Sequence, residues 1–204
     1  MLFRSNDTAT TEIYTVLHTL SLHDALPIYL PRIDTLIDEL NGFDLFIKMD
    51  IRWGYNNVRI KEGDEWKAAF TCKAGLFEPT VMFFGLTNSP ATFQAMMDVV
   101  LAEEITQRWL KVYMDDLLLC GHKVKQAELV ARGLQVLAKL EKHDLFIQPT
   151  KCDFFVSRVE FLGFVIDNGT VQMDPAKVNG IVDWPPPQNL TELHSFIGFC
   201  NFYH

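Results

Sequence analysis

Three aspartates are the residues of this chain best suited to chemistry. Asp115 and Asp116 lie side by side in Tyr113-Met114-Asp115-Asp116, between Trp109-Leu110-Lys111-Val112 and Leu117-Leu118-Leu119-Cys120. Apolar, β-favouring flanks predict two short buried strands that meet at the acidic pair, making it a hairpin turn. Two readings fit such a turn. Asp favours turns in general, because its short side chain hydrogen-bonds nearby backbone. Alternatively, the hairpin holds carboxylates together for magnesium, which prefers oxygen ligands and is typically bound by one or two carboxylates together with substrate phosphates. Two such ions about 4 Å apart activate an attacking hydroxyl and stabilise the leaving oxygen in phosphoryl transfer. Asp50, after Phe46-Ile47-Lys48-Met49, supplies a further acid if an antiparallel sheet brings its strand to the hairpin. Standing alone, it would be a strand-terminal acid facing solvent.

The elements that must position these acids are legible in part. Ile33, Leu36, Ile37 and Leu40 recur at helical spacing up to Asn41-Gly42, and Phe43 to Asp50 follows as a strand. Tyr55 to Ile60 and Trp66 to Thr71 read as two strands joined by a turn at Lys61 to Glu65, and Glu78 to Phe84 as another. Ser89-Pro90 starts a helix, with Ser placed to accept from first-turn amides and Pro giving up no needed donor. Phe93, Met96, Met97, Val100 and Leu101 form its apolar stripe, which reads as core. A second long helix carries Ala127, Val130, Ala131, Leu134, Leu137 and Ala138 and ends near His143-Asp144. Val159 to Ile166 reads as one strand containing Phe161-Leu162-Gly163, and Asn168-Gly169 as a tight turn into Val171-Gln172-Met173. Asp174-Pro175 caps a short helix, Trp184-Pro185-Pro186-Pro187 stops it, and Asn189 with Glu192 resembles a capping box for a last helix. This order predicts an α+β fold with helices packed on one face of an antiparallel sheet.

Composition narrows the class. With 204 residues, 49% of them hydrophobic, the chain fills a real core. A formal charge of -8, from 26 acidic and 18 basic residues, argues against binding nucleic acid through overall charge, though not against a local basic groove. The scattered Cys72, Cys120, Cys152 and Cys200 indicate neither zinc nor a disulfide framework, so reduced thiols and an intracellular, cytoplasmic setting are expected. No apolar run approaches the roughly 20 residues of a membrane span. Residues 1–28 are Thr-rich and weakly periodic, unlike the chain from Tyr29 onward. They read as a non-native or disordered leader, either translated sequencing-adapter sequence or a natural extension, and are set aside from fold reasoning.

In combination, these stretches resemble the reverse transcriptase of gypsy-type long-terminal-repeat retrotransposons, from about Tyr29 to His204. Lys48-Met49-Asp50-Ile51-Arg52 with Gly54-Tyr55 is similar to the family's first catalytic motif, and Phe84-Gly85-Leu86-Thr87-Asn88-Ser89-Pro90-Ala91-Thr92-Phe93-Gln94 to its template- and nucleotide-contacting motif. Tyr113-Met114-Asp115-Asp116 matches the polymerase signature. Lys151-Cys152 with Phe154, Phe161-Leu162-Gly163, and Trp184-Pro185 with Ser195-Phe196-Ile197-Gly198 match the family's later motifs. One four-residue acidic motif is weak evidence; several motifs in order are strong.

The resemblance implies a palm-type polymerase fold with incomplete fingers: a leader at 1–28, a palm at 29–173 and the start of a connection region at 174–204, truncated at both ends. It implies RNA-directed DNA polymerisation within a retrotransposon polyprotein, with two magnesium ions, or manganese, on Asp50, Asp115, Asp116 and the Ile51 carbonyl. Lys151 would act on the leaving pyrophosphate, or as an ordinary surface lysine would only face solvent. Ile51, Tyr55, Phe84 and Gly85 would contact the deoxynucleoside triphosphate, with Tyr55 opposing a 2′-hydroxyl. Asn88, Ser89, Pro90, Tyr113, Met114, Phe161, Leu162 and Gly163 would contact the primer and an RNA or DNA template. Other parts of the polyprotein are implied partners, a virus-like particle a possible setting, and no membrane is involved. Trp53, Asn56-Asn57 and Phe83 depart from common family residues without touching an acid. The fingers segment that supplies triphosphate-binding Lys and Arg is absent from the resemblance, so the isolated chain is expected to extend primers little. A non-catalytic remnant or nucleic-acid-binding module is the alternative from another class. A nucleotidyl transferase or cyclase on a similar sheet is disfavoured by the later motifs.

Overall fold

The computed structural model describes residues 30–173 and 175–201. The leader at 1–28 and the Asp174 cap lie outside them. In chain order the elements are α1 (Ile33–Asp38), β1 (Leu45–Asp50), β2 (Phe70–Cys72), β3 (Gly75–Phe77), α2 (Ser89–Val100), α3 (Ala102–Thr106), β4 (Leu110–Tyr113), β5 (Asp116–Gly121), α4 (Gln126–Lys142), β6 (Asp153–Val156), β7 (Arg158–Phe161), β8 (Phe164–Asp167), β9 (Thr170–Met173), α5 (Pro175–Val182) and α6 (Leu190–Asn201).

The central sheet runs β4-β5-β1-β6, antiparallel throughout. Because side chains alternate across a strand, its two faces carry different residues. Leu45, Ile47 and Met49 of β1, with Leu110, Val112, Leu117 and Leu119, pack against Phe93, Met96, Met97 and Val100 of α2 and Leu129, Val136 and Leu140 of α4. Full burial of each such side chain stabilises by about 1.5–3 kcal/mol. On the other face, Phe46, Leu118 and Cys120 meet Ile37 of α1 and Val159, Phe161 and Ile166 of the three-stranded sheet β7-β8-β9. The long helices therefore share one face as expected, and a second sheet covers the other.

Four segments differ from the sequence expectation. Tyr55 to Ile60 is not a strand: Trp53 adopts a left-handed conformation (φ 55°) and the chain winds into a 3-10 turn over Gly54–Asn57. Asn57 donates to the Arg52 carbonyl at 3.1 Å, a side-chain bond that competes with strand pairing. Val58 and Ile60 then bond Met82 and Thr80, so this segment pairs with the stretch before α2. Trp66 to Thr71 begins as another 3-10 turn, Glu65–Ala68, where Asp64 pairs with Lys67 at 2.7 Å; only Phe70–Cys72 is strand, paired with β3. Glu78 to Phe84 reduces to a single bridge, Arg59 with Val81. Val159 to Ile166 is split into β7 and β8, because Leu162 and Gly163 both take positive φ (52° and 83°) and form a two-residue hairpin turn. Asn168-Gly169 forms a similar turn, as expected. At α6 Asn189 caps the first turn, accepting from Glu192 N–H at 2.9 Å, while the Glu192 carboxylate accepts from Gln188 N–H at 2.7 Å, one residue before the donor a full capping box uses.

Candidate active site

The β1–β5 register sets the position of the acids. Phe46 pairs with Cys120, Lys48 with Leu118 and Asp50 with Asp116, so the last residue of one strand faces the first of the next. Tyr113 and Asp116 close the β4–β5 hairpin, whose two-residue loop is Met114-Asp115 with Met114 at φ 53°. Ile51 N–H donates to the Asp115 carbonyl at 2.9 Å, binding the end of β1 to that loop. On the opposite side, Gln148 N–H donates to the Asp50 carbonyl and Arg52 N–H to the Phe146 carbonyl, both at 2.8 Å. Backbone on two flanks thus holds Asp50-Ile51-Arg52.

Charge is concentrated there. Burial, reinforced by the Asp50 charge, raises the Asp115 carboxyl above the usual carboxylate range, with Lys151 opposing. Asp116 is also raised, by burial first, with Lys48 opposing and Asp115 and Asp50 adding. Lys151 Nζ lies 3.3 Å from Asp50 Oδ2; its side chain is 59% exposed, so it can leave that carboxylate at small cost. Among the described residues no three His, Cys, Asp or Glu side chains converge into a closed metal cage. The donors nonetheless fit magnesium, a hard cation commonly held by one or two carboxylates and completed by water and substrate phosphate. Half-buried carboxylates raised first by burial and then by neighbouring acid charge, with an ammonium already drawn to Asp50, are the electrostatics that a cation relieves.

The remaining sequence-derived residues fall into two groups. Tyr55, Phe84 and Met114 adjoin the acids: the Tyr55 ring meets Phe84 edge-on at 5.0 Å, its hydroxyl approaches Met114 Sδ at 3.4 Å, and its phenol is raised by burial and then by Asp115. Phe84 is 76% exposed, and Gly85 beside it uses φ 105°. Asn88, Ser89 and Pro90 start α2. Ser89 does not cap it: Asn88 precedes the first turn without a side-chain bond, and the buried Ser89 hydroxyl donates back to the Phe83 carbonyl at 3.4 Å. Phe161, Leu162 and Gly163 belong to the second sheet, where Phe161 is core and Leu162-Gly163 form the turn, while Tyr113 packs against the same core.

Two residues quoted within the motifs were given no role of their own. Gln94, fully buried, accepts from Met114 N–H at 2.6 Å and donates to Asp98 Oδ1 at 2.8 Å, so α2 holds the acidic loop. Gly54 lies where a Cβ would meet Phe93 Cζ at 3.0 Å and the Asp115 Cβ at 3.5 Å, so a side chain here requires the buried Phe93 ring to give way by a few tenths of an ångström. A polar residue beside an otherwise apolar stripe was the available signal for Gln94; for Gly54 it was a glycine directly before the motif tyrosine.

The reverse transcriptase (RNA-dependent DNA polymerase) family matches residues 5–166, most of the chain. The chain belongs to the reverse transcriptase family. The match extends over most of the leader, residues 1–28. Relatives include the Transposon Tf2-3 and Tf2-7 polyproteins of Schizosaccharomyces pombe, each 34% identical over 173 residues, or 85% of this chain. The reverse transcriptase region here spans only 13% of either polyprotein's length. In fold it is similar to the foamy viral protease-reverse transcriptase in complex with an RNA/DNA hybrid (TM-score 0.75, 23% identity, 87% of this chain and 24% of that one). A second foamy viral structure, in complex with double-stranded DNA, gives TM-score 0.72 and 23% identity over 93% of this chain and 32% of that one. The gypsy-type retrotransposon assignment and the palm-like α+β fold thus both stand.

Proposed function

We propose that residues 29–173 are the palm, with part of the fingers, and residues 174–204 the start of the connection region, of an RNA-directed DNA polymerase that acts within a retrotransposon polyprotein. The observation that carries this reading is the opposition of Asp50 and Asp116 across β1 and β5, with Asp115 tied to Ile51 by backbone. Asp50, Asp115, Asp116 and the Ile51 carbonyl would hold magnesium, or manganese in its place. When bound, paired divalent ions lower the barrier to attack by a primer 3′-hydroxyl and steady the departing pyrophosphate.

The chain's own residues supply position and proton control. Asp50 holds Lys151 in reserve at 3.3 Å, and once released this ammonium neutralises charge on the leaving pyrophosphate or gives it a proton. Tyr55, wedged against Phe84 and Phe93, sets the floor under the incoming sugar and opposes a 2′-hydroxyl. Gly85 leaves its backbone open to the nucleotide, since nothing lies within 4 Å of where its Cβ would be. Asn88, Pro90, Tyr113, Met114, Leu162 and Gly163 line the primer–template path, with Ser89 and Phe161 buried beneath it. The reading takes support from the nucleic-acid complexes of the foamy viral neighbours. Among the described residues no helix is long and apolar enough to cross a membrane. A cytoplasmic particle is the setting we infer.

Primer extension on an RNA template with magnesium, by the chain within its natural flanking sequence, tests the function. Templated DNA is the expected product. Cyclic nucleotide instead of extended primer would replace this reading with a cyclase.

A further inference from the structure

By alternation the face of β1 that carries Phe46 also carries Lys48 and Asp50, and the Lys48 side chain is only 22% exposed. A cation between two packed sheets costs free energy unless it is paired and hydrogen-bonded. Lys48 meets both conditions, and its partners belong to different sheets. Its ammonium lies 3.8 Å from Asp116 Oδ1 at the acidic turn and donates to the Glu160 carbonyl of β7 at 3.0 Å. Among the described residues β7 is an edge strand of its sheet. Glu160 also directly precedes Phe161, which closes the Leu162-Gly163 turn. One ammonium therefore bridges the metal-site hairpin and the turn assigned to the primer. The far end of the second sheet is fastened separately: Lys123 Nζ donates to Asn168 Oδ1 at 2.8 Å, and Lys123 N–H to Asp44 Oδ1 at 2.8 Å.

We propose that Lys48 is a positioning residue that sets the Leu162-Gly163 turn, and hence the primer end, relative to Asp115 and Asp116. This rests on the polymerase reading. An ammonium holding two elements in register acts on the geometry of attack more than on nucleotide affinity, and misplacement by about 1 Å costs up to about 100-fold in rate. Lys48→Met keeps the apolar stem and removes the bridge. Lys48→Arg keeps a donor and a charge.

The test is single-turnover nucleotide incorporation by the polymerase in its natural flanking sequence, as wild type, Lys48→Met, Lys48→Arg and Lys123→Met, with thermal melts of each. Expected for Lys48→Met is a maximal incorporation rate lower by about tenfold or more, with nucleotide KM changed much less. Lys48→Arg should recover most of the rate, and Lys123→Met should stay near wild type even if its melting temperature falls. An unimpaired Lys48→Met, or an equal rate loss in Lys123→Met, overturns the positioning role. No incorporation by the wild type overturns the polymerase reading itself, and this one with it.

Discussion

Gln94 has no charge and no exposed surface, yet its side-chain amide joins α2 to the loop carrying Asp115. Gln94→Leu leaves the Met114 amide without its acceptor and Asp98 without its donor, and should destabilise by about 1–3 kcal/mol in a denaturant titration. Gly54→Ala drives a methyl against Phe93 and should cost about 1–3 kcal/mol, measured the same way, by overpacking beneath the acidic loop. A wild-type midpoint in either variant would contradict the packing described. The contrast with the aspartates shows what residue types disclose. Asp50, Asp115 and Asp116 were singled out from the sequence because the surrounding motifs outweighed the ordinary readings of a turn and a strand end. Gln94 was not, because a hydrogen bond across twenty positions leaves no trace in local spacing.

At the scale of elements, β1, β4 and β5 were visible as apolar, β-favouring runs, because this sheet is covered on both faces, and α2 from the apolar stripe it buries; α4 was found from Ala127, Val130, Ala131, Leu134 and Ala138, which are exposed, whereas its buried face is Leu129, Gly133, Val136 and Leu140. The segment from Tyr55 to Phe84 was misread because backbone geometry decides it: a left-handed Trp53 and two 3-10 turns override the β propensity of its aromatic and branched residues. β5 also carries a pH signature. Cys120 is fully buried, and burial pushes its thiol from 9.0 up to about 12, with Lys111 and Arg132 opposing. The folded chain thus keeps a proton that the unfolded chain releases. Stability from this group is complete below about 9 and is lost as pH rises toward about 12. Melts across that window should show wild type falling more steeply than Cys120→Ala, and parallel slopes would exclude the effect. For α6, Asn189→Ala removes the acceptor for Glu192 N–H and should cost that helix about 1 kcal/mol, read as faster amide exchange in its first turn.

For the whole molecule, the net charge of -8 accords with a segment organised around carboxylates. Composition could not show that a second sheet covers the face opposite the long helices, because β7–β9 meet that face through only a few apolar residues and Lys48. The family follows from the match over residues 5–166, whereas the activity depends on whether the acids of β1 and the β4–β5 hairpin work as one site. Primer extension with magnesium on an RNA template, comparing wild type with Asp50→Asn and Asp115→Asn in the natural flanking sequence, tests that directly. The account expects extension to disappear in both variants while their melting temperatures stay near wild type; undiminished extension by either one would contradict it.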